Sequence, residues 1–310
     1  MRLAILSVKL LKTFIFVFLT FGPLTVFSQS QALPNAFAHN DYFHNRPLFD
    51  ALDNGYTNIE ADIFLRRGKL IVAHIIPWFK GGRTLDSLYL KPLKKHIANN
   101  GNKVYKGYNE PVILMIDIKS DAEDTYAALE KVLDHYKDIL SGYENGGLIK
   151  RQVTIVLSGH KPYNMLKAEK TRYAFIDEDL RDSGKDQTPN VYQLSSCKYS
   201  KILNWDGDGL LPEKDREMLR AYCRRVHSYH SKVRLWASPE KQNCWGQLLD
   251  CGVDLINTDK LVDLKVFLIA REKERERKGN KQIHPQDQIP EVLYTNAAAS
   301  IPHEETAAEK

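Results

Sequence analysis

Four polar signatures stand out because each ends or interrupts an apolar run: Ala38-His39-Asn40-Asp41-Tyr42, Ile59-Glu60-Ala61-Asp62, Val72-Ala73-His74 and Met115-Ile116-Asp117-Ile118-Lys119. A segment as apolar as Pro111–Lys119 gains nothing structural from an Asp and a Lys at its end, because buried charge is costly unless it is paired or holds a metal. Side chains alternate along a strand, so Glu60 and Asp62 share one face, as do Asp117 and Lys119. Three carboxylates from two strands, Glu60, Asp62 and Asp117, form a hard oxygen cage suited to one divalent cation, Mg²⁺ or Ca²⁺. His39 and His74 flank that cage, placed for general acid and general base work near neutral pH. A cation, two histidines and Lys119 describe phosphoryl chemistry better than acyl transfer.

Two other chemistries use part of this set. A metal-dependent sugar isomerase or aldolase-like lyase would employ the carboxylates and Lys119 but has little need of both histidines. A barrel that only binds a ligand would need no complete acid–base set. Taken singly, Asp117 reads equally well as a helix cap and Glu60 and Asp62 as ion-pair partners. Their recurrence at successive strand ends is what favours a site.

Those strand ends belong to a repeating pattern. Val-, Ile- and Leu-rich runs fall at 35–39, 58–64, 70–74, 112–118, 153–157, 173–176, 191–194, 233–237 and 254–257, as expected of strands covered on both faces. Amphipathic helical stretches separate them at 46–54, 85–99, 122–140, 162–170, 213–228 and 242–250. Residues 70–74 read as the return arm of a hairpin turning at Arg67-Gly68-Lys69. The remaining eight strands, in βα order over residues 29–270, predict an α/β fold, a (β/α)8 TIM barrel. A doubly wound open sheet is the competing architecture, but no Gly-rich first turn is present. In a barrel, catalytic groups belong at the C-terminal ends of strands, where the polar signatures lie.

Residues 1–28 read as a signal peptide. Arg2, Lys9 and Lys12 precede an apolar stretch from Thr13 to Phe27, shorter than the roughly 20 residues of a spanning helix, and Val26 and Ser28 suit cleavage after Ser28. The predicted location is therefore secreted or periplasmic. The net charge of +5 falls to +2 without those three cations, too little to argue for nucleic acid. Cys197, Cys223, Cys244 and Cys251 match no zinc spacing; an oxidising compartment allows one or two disulfides among them, with pairing unreadable, and a structural role is expected. Residues 271–310 are charged and poor in apolar groups, predicting a last helix that frays into a disordered tail. The Trp205-Asp206-Gly207-Asp208-Gly209 loop lacks full EF-hand spacing and reads as a turn.

The order His39, Glu60-x-Asp62, His74 resembles the signature of the glycerophosphodiester phosphodiesterase and phosphatidylinositol-specific phospholipase C superfamily. Val233-Arg234-Leu235-Trp236 is similar to its seventh strand, and residues 252–259 to its last. Two departures are specific. Asn40-Asp41 stands where bacterial glycerophosphodiesterases carry a phosphate-binding Arg-Gly, and Asp117-x-Lys119 replaces Glu-x-Lys. The latter, with Trp236, resembles the sphingomyelinase D-type phospholipases, and Ala38–Tyr42 resembles a phospholipase-C-like branch of bacteria and fungi. The resemblance implies catalytic His39 and His74, one cation on Glu60, Asp62 and Asp117, and Lys119, Trp236 and Asn40 at the substrate. It implies a small-molecule or lipid phosphodiester, cleaved by hydrolysis or through a cyclic phosphate. Trp78-Phe79, just past His74, would then line the site's mouth or touch a membrane peripherally.

Overall fold

Strands rich in Val, Ile and Leu must be covered on both faces, and closing them into a ring does this while removing the sheet edges. The computed structural model describes residues 30–76, 82–186, 188 and 190–282. In chain order the elements are β1 (Leu33–Ala38), α1 (Phe49–Asp53), β2 (Tyr56–Arg66), β3 (Lys69–Val72), α2 (Lys91–Asn99), β4 (Val112–Ile118) and α3 (Ala122–Leu133). There follow β5 (Gly142–Glu144), β6 (Gly147–Ile149), β7 (Val153–Gly159), α4 (Tyr163–Ala168), β8 (Ala174–Asp179) and β9 (Tyr192–Lys198). The last are α5 (Glu213–His227), β10 (Lys232–Trp236), α6 (Gln242–Asp250), β11 (Leu255–Thr258) and α7 (Leu261–Gln282). Parallel pairing runs β1-β2-β4-β7-β8-β9-β10-β11, and β1 also pairs with β11. The ring closes as the expected (β/α)8 barrel.

Inside the ring, Phe37, Ile113, Met115, Val156, Leu194 and Leu255 form a buried apolar plug. The expected hairpin is present outside it. β3 runs antiparallel to β2 through Arg67 and Gly68, both at positive φ (49° and 73°), the conformation of a two-residue type I′ turn. Asp121 caps α3 by accepting from the Asp124 amide at 2.9 Å.

Several helices are shorter than the amphipathic pattern suggests. The stretch at 46–54 is helical only over α1, because Leu48 adopts φ 69°. The stretch at 85–99 opens with a π turn at Asp86–Leu90, and that at 122–140 yields to a 3₁₀ turn at Asp134–Tyr136. The β5–β6 hairpin was not expected; it turns at Asn145-Gly146, again with φ positive at both residues (52° and 82°).

The four cysteines are all buried and free, so none of the disulfides that an oxidising compartment would allow is formed. The expected last helix is present as α7. Leu261, Leu264 and Leu268 are buried at helical spacing, but α7 runs on through the charged stretch to Gln282. Residues from Ile269 form a separate unit, in which Glu, Lys and Arg are good helix formers and Lys278 pairs with Glu274 at 2.7 Å. The signal-peptide segment and residues 283–310 lie outside the described residues.

Candidate active site

The site begins with a pinned loop. Past β1 the chain turns at Asn40, in the left-handed region (φ 47°), and the Asp41 carboxylate folds inward. Asp41 Oδ2 accepts from the Leu48 amide at 2.6 Å and the Tyr89 hydroxyl at 2.9 Å. Burial pushes its pKa up to about 6, against the opposing pull of those two hydrogen bonds. This anchor fixes the Tyr42 hydroxyl 2.8 Å from Asp62 Oδ2, 2.5 Å from Asn40 Oδ1 and 3.1 Å from His74 Nδ1. Burial and the neighbouring Asp62 charge drive the Tyr42 ionisation far upward, keeping it a neutral hydroxyl.

Register supplies the acidic cluster. β2 and β4 pair Glu60 with Met115 and Asp62 with Asp117, so Asp62 and Asp117 stand side by side. One carboxylate oxygen from each of Glu60, Asp62 and Asp117 lies within 4.8 Å of the others. Burial raises the pKa of Glu60 and of Asp62, the latter also through Asp117. Lys119 Nζ sits 2.6 Å from Asp117 Oδ2 and 3.3 Å from Asp62 Oδ2. Burial opposes its charge, but the two carboxylates outweigh burial and raise its pKa.

The cluster fits a divalent cation on an observation of its own. Glu60 Oε2 and Asp117 Oδ1 are buried and accept no hydrogen bond. Such atoms are costly to leave unpartnered, and a hard cation takes carboxylate oxygens of this kind. Beside them, Gly159 (φ +69°) keeps a space open: a Cβ there would fall 2.0 Å from Asp117 Oδ1.

The two histidines stand on either side. His39 Nδ1 lies 2.8 Å from Asp259 Oδ1 and 3.1 Å from Asn40 Nδ2, while its Nε2 is 3.9 Å from Glu60 Oε2. An ionised carboxylate only accepts, so the Asp259 contact places the His39 proton on Nδ1. His74 Nδ1 approaches Asp62 Oδ2 at 3.1 Å.

His39, Asn40, Asp62, His74, Asp117, Lys119 and Trp236 line one cavity of about 470 Å³ at the C-terminal end of the barrel. Glu60 lies beneath it, 5% exposed, and Trp236 stands at its rim, 38% exposed. Trp78 and Phe79 lie outside the described residues. The Trp205–Gly209 loop closes on itself, Trp205 Nε1 donating to the Asp208 carbonyl at 2.6 Å, and Asp208 pairs with Lys241.

Sequence reading passed over several residues here. Arg234, 4% exposed, reaches Glu60 at 3.7 Å and Asp177 at 3.8 Å, and donates to Asn257 Oδ1 at 2.9 Å. It is the buried cation that offsets two buried acids. Its signal was available, since Arg234 shares a strand face with Trp236. Asp177, at the end of the fifth barrel strand, reads from sequence as a less specific strand-end acid; burial raises its pKa and Arg234 opposes the rise. Tyr42 and Asp259 gave none beyond proximity to the recognised residues.

Residues 27–177 match the model of the AIM6-like phosphodiesterase domain. That interval holds both histidines, all three clustered carboxylates and Lys119, and ends at Asp177. Among curated proteins, the chain is 28% identical to Altered inheritance of mitochondria protein 6 of Eremothecium gossypii, covering 76% of this chain and 69% of that one. It is 25% identical to the homolog from Arthroderma benhamiae (72% of this chain, 80% of that one). To the Saccharomyces cerevisiae protein of the same name it is also 25% identical (72% and 68%). On these comparisons, the chain has a phosphodiesterase-like domain similar to that of the proteins named Altered inheritance of mitochondria protein 6.

Proposed function

We propose that the protein is an exported phosphodiesterase of the glycerophosphodiesterase and phospholipase C-like type. It would cleave a glycerophosphodiester or a phospholipid headgroup diester with the help of one divalent cation, Mg²⁺ or Ca²⁺. The observation that carries this reading is the placement of two histidines on either side of a carboxylate cluster with unpartnered oxygens, around a single cavity. Glu60, Asp62 and Asp117 would hold the cation, which when bound supplies positive charge for the phosphoryl oxygens. Lys119 adds charge at the same place. One histidine takes the proton of the attacking hydroxyl, from water or from the substrate itself, and the other returns a proton to the leaving alkoxide. The Nδ1 atoms of both are engaged by carboxylates, which leaves each Nε2 for that exchange. Trp236 offers a face for the substrate, and Asn40 lies beside His39 on the cavity wall.

The short apolar N-terminal segment supports export. Phe43 and Ile75, exposed beside His74, support peripheral contact with a lipid surface when the diester is a lipid. The deciding experiment screens glycerophosphodiesters, lysophospholipids, sphingomyelin and phosphatidylinositol with Mg²⁺, with Ca²⁺ and with excess chelator. Turnover that disappears in chelator and returns with metal is expected. Full activity in chelator removes the cation, and no turnover of any diester in either metal removes the function. Calorimetry with the metal alone should show one site, weakened more than tenfold in Asp117→Asn, which removes one anionic oxygen.

A further inference from the structure

The cavity has two ends of different charge. At the acidic end every cation has a carboxylate: Lys119 has Asp117 and Asp62, and Arg234 has Glu60 and Asp177. Across the cavity, Arg181 is likewise matched by Asp179. Among the described residues, Lys198 and Lys201 of the same lining form no ion pair, and Lys161 feels Asp177 and Asp179 only through space. Lys161 Nζ donates to a backbone carbonyl, that of Asp177, at 2.9 Å. Lys198 Nζ lies 5.7 Å from the centre of the Trp236 ring. These residues come from the loop after β7, the end of β9 and the 3₁₀ turn at Tyr199–Lys201, on either side of β8, whose end brings Asp177, Glu178 and Asp179 into the same lining.

A cation held in the carboxylate cluster would leave this wall unneutralised. A phosphodiester carries a single negative charge, which the cation and Lys119 engage. Lys198 and Lys201 bring ammonium groups to the lining of a concave cavity, where an anion seated beside them gains from both charges.

We propose that the Lys161, Lys198 and Lys201 wall binds a second anionic group of the substrate, a phosphate or a carboxylate on the alcohol side of the scissile diester. The preferred substrate is then a doubly anionic diester, one anion at the carboxylate cluster and the other beside Lys198 and Trp236 at the rim. This rests on the phosphodiesterase reading above, and the experiment keeps the two apart.

Three soluble diesters share one scaffold: glycerophosphoglycerol, the same compound with a terminal phosphate, and the same compound with a terminal carboxylate. The quantity read is the ratio of kcat/KM for each doubly anionic diester to that of the singly anionic one. A ratio of about ten or more for the full chain, carried mainly by KM and collapsing toward one in a Lys198→Ala/Lys201→Ala variant, is expected for a charge-assisted contact. Whichever anion gives the larger ratio identifies the group. A ratio near one in the parent, or one unchanged in the variant, overturns the proposal while leaving the phosphodiesterase reading intact. If no diester is turned over, that reading fails alone, and binding still decides the wall. Calorimetry in the presence of Mg²⁺ should then show glycerol 1,3-bisphosphate binding about tenfold more tightly than glycerol 3-phosphate, with the difference lost in the variant. Equal affinities would overturn the proposal there too.

Discussion

Asp259, at the end of the last barrel strand, accepts from His39 at the end of the first: Oδ1 and Nδ1 are 2.8 Å apart. Because β1 and β11 pair in register, Ala38 beside Thr258, this contact is set by ring closure itself. It fixes the tautomer that leaves His39 Nε2 as the proton acceptor. Asp259→Asn should lower kcat by about ten- to a hundredfold and displace the His39 limb of the pH–rate profile. An unchanged profile would reduce the contact to packing.

Alanine at either His39 or His74 should cost on the order of 10²-fold or more in kcat, and the double variant far less than the product of the two losses. The wild-type rate should describe a bell against pH. A His74→Ala protein with near wild-type turnover would leave that residue a structural role only.

Gly159→Ala is expected to damage fold and site together. The new methyl would lie 2.0 Å from Asp117 Oδ1 and 2.4 Å from the Ile118 carbonyl, at a positive φ that alanine adopts poorly. A loss of about 2 kcal/mol or more in urea denaturation, with weakened metal binding, should result. A variant matching wild type in both would show that the loop after β7 gives way freely.

The raised Asp41 carboxyl makes a signed prediction. Its pKa moves from 3.8 to about 6 on folding, so the folded protein holds more protons than the unfolded chain between those values. Its contribution is therefore fully present below pH 3.8 and is lost as pH rises through about 6. The swing is on the order of 3 kcal/mol, at about 1.4 kcal/mol per unit. Urea midpoints measured from pH 4 to 7 should fall less steeply in Asp41→Asn than in the parent. Parallel slopes would contradict the assignment.

On the proposed function, the resemblance of Asp117-x-Lys119 and Trp236 to the sphingomyelinase D-type phospholipases implies attack by a substrate hydroxyl on its own phosphorus, an internal nucleophile acting at high effective molarity. Phosphorus NMR of the earliest turnover should show a cyclic phosphate wherever the substrate offers a neighbouring hydroxyl. That signal should disappear in Lys119→Ala while substrate binding persists. Open monoester from the first time point would mean direct hydrolysis.

The barrel was readable from sequence because its strands centre on short Val-, Ile- and Leu-rich runs, and a charge within such a run announces itself. Glu60, Asp62, Asp117 and Lys119 were found for that reason. Arg234 was overlooked because attention fell on Trp236, two residues on; the same face leads from the rim down to the buried pair of acids. Asp259 and the lysine wall could not be read, because ring closure and loop direction bring them to the cavity, and neither leaves a mark in local composition. The β5–β6 hairpin did leave one, Asn145-Gly146. The charged stretch of α7 shows that low apolar content argues against packing but not against helix.

His74 follows β3, the one strand of the main sheet that stands outside the closed ring, and the Ala73 amide beside it is tied back to the Asp62 carbonyl at 3.2 Å. The eight staves can therefore hold their shape whatever this arm does. On the proposed mechanism half of the proton-transfer pair is mounted on an appendage, so substitutions at the exposed end of the arm would alter reactivity more than the barrel's foldability. A lineage can retune or silence the chemistry there and still inherit an intact scaffold.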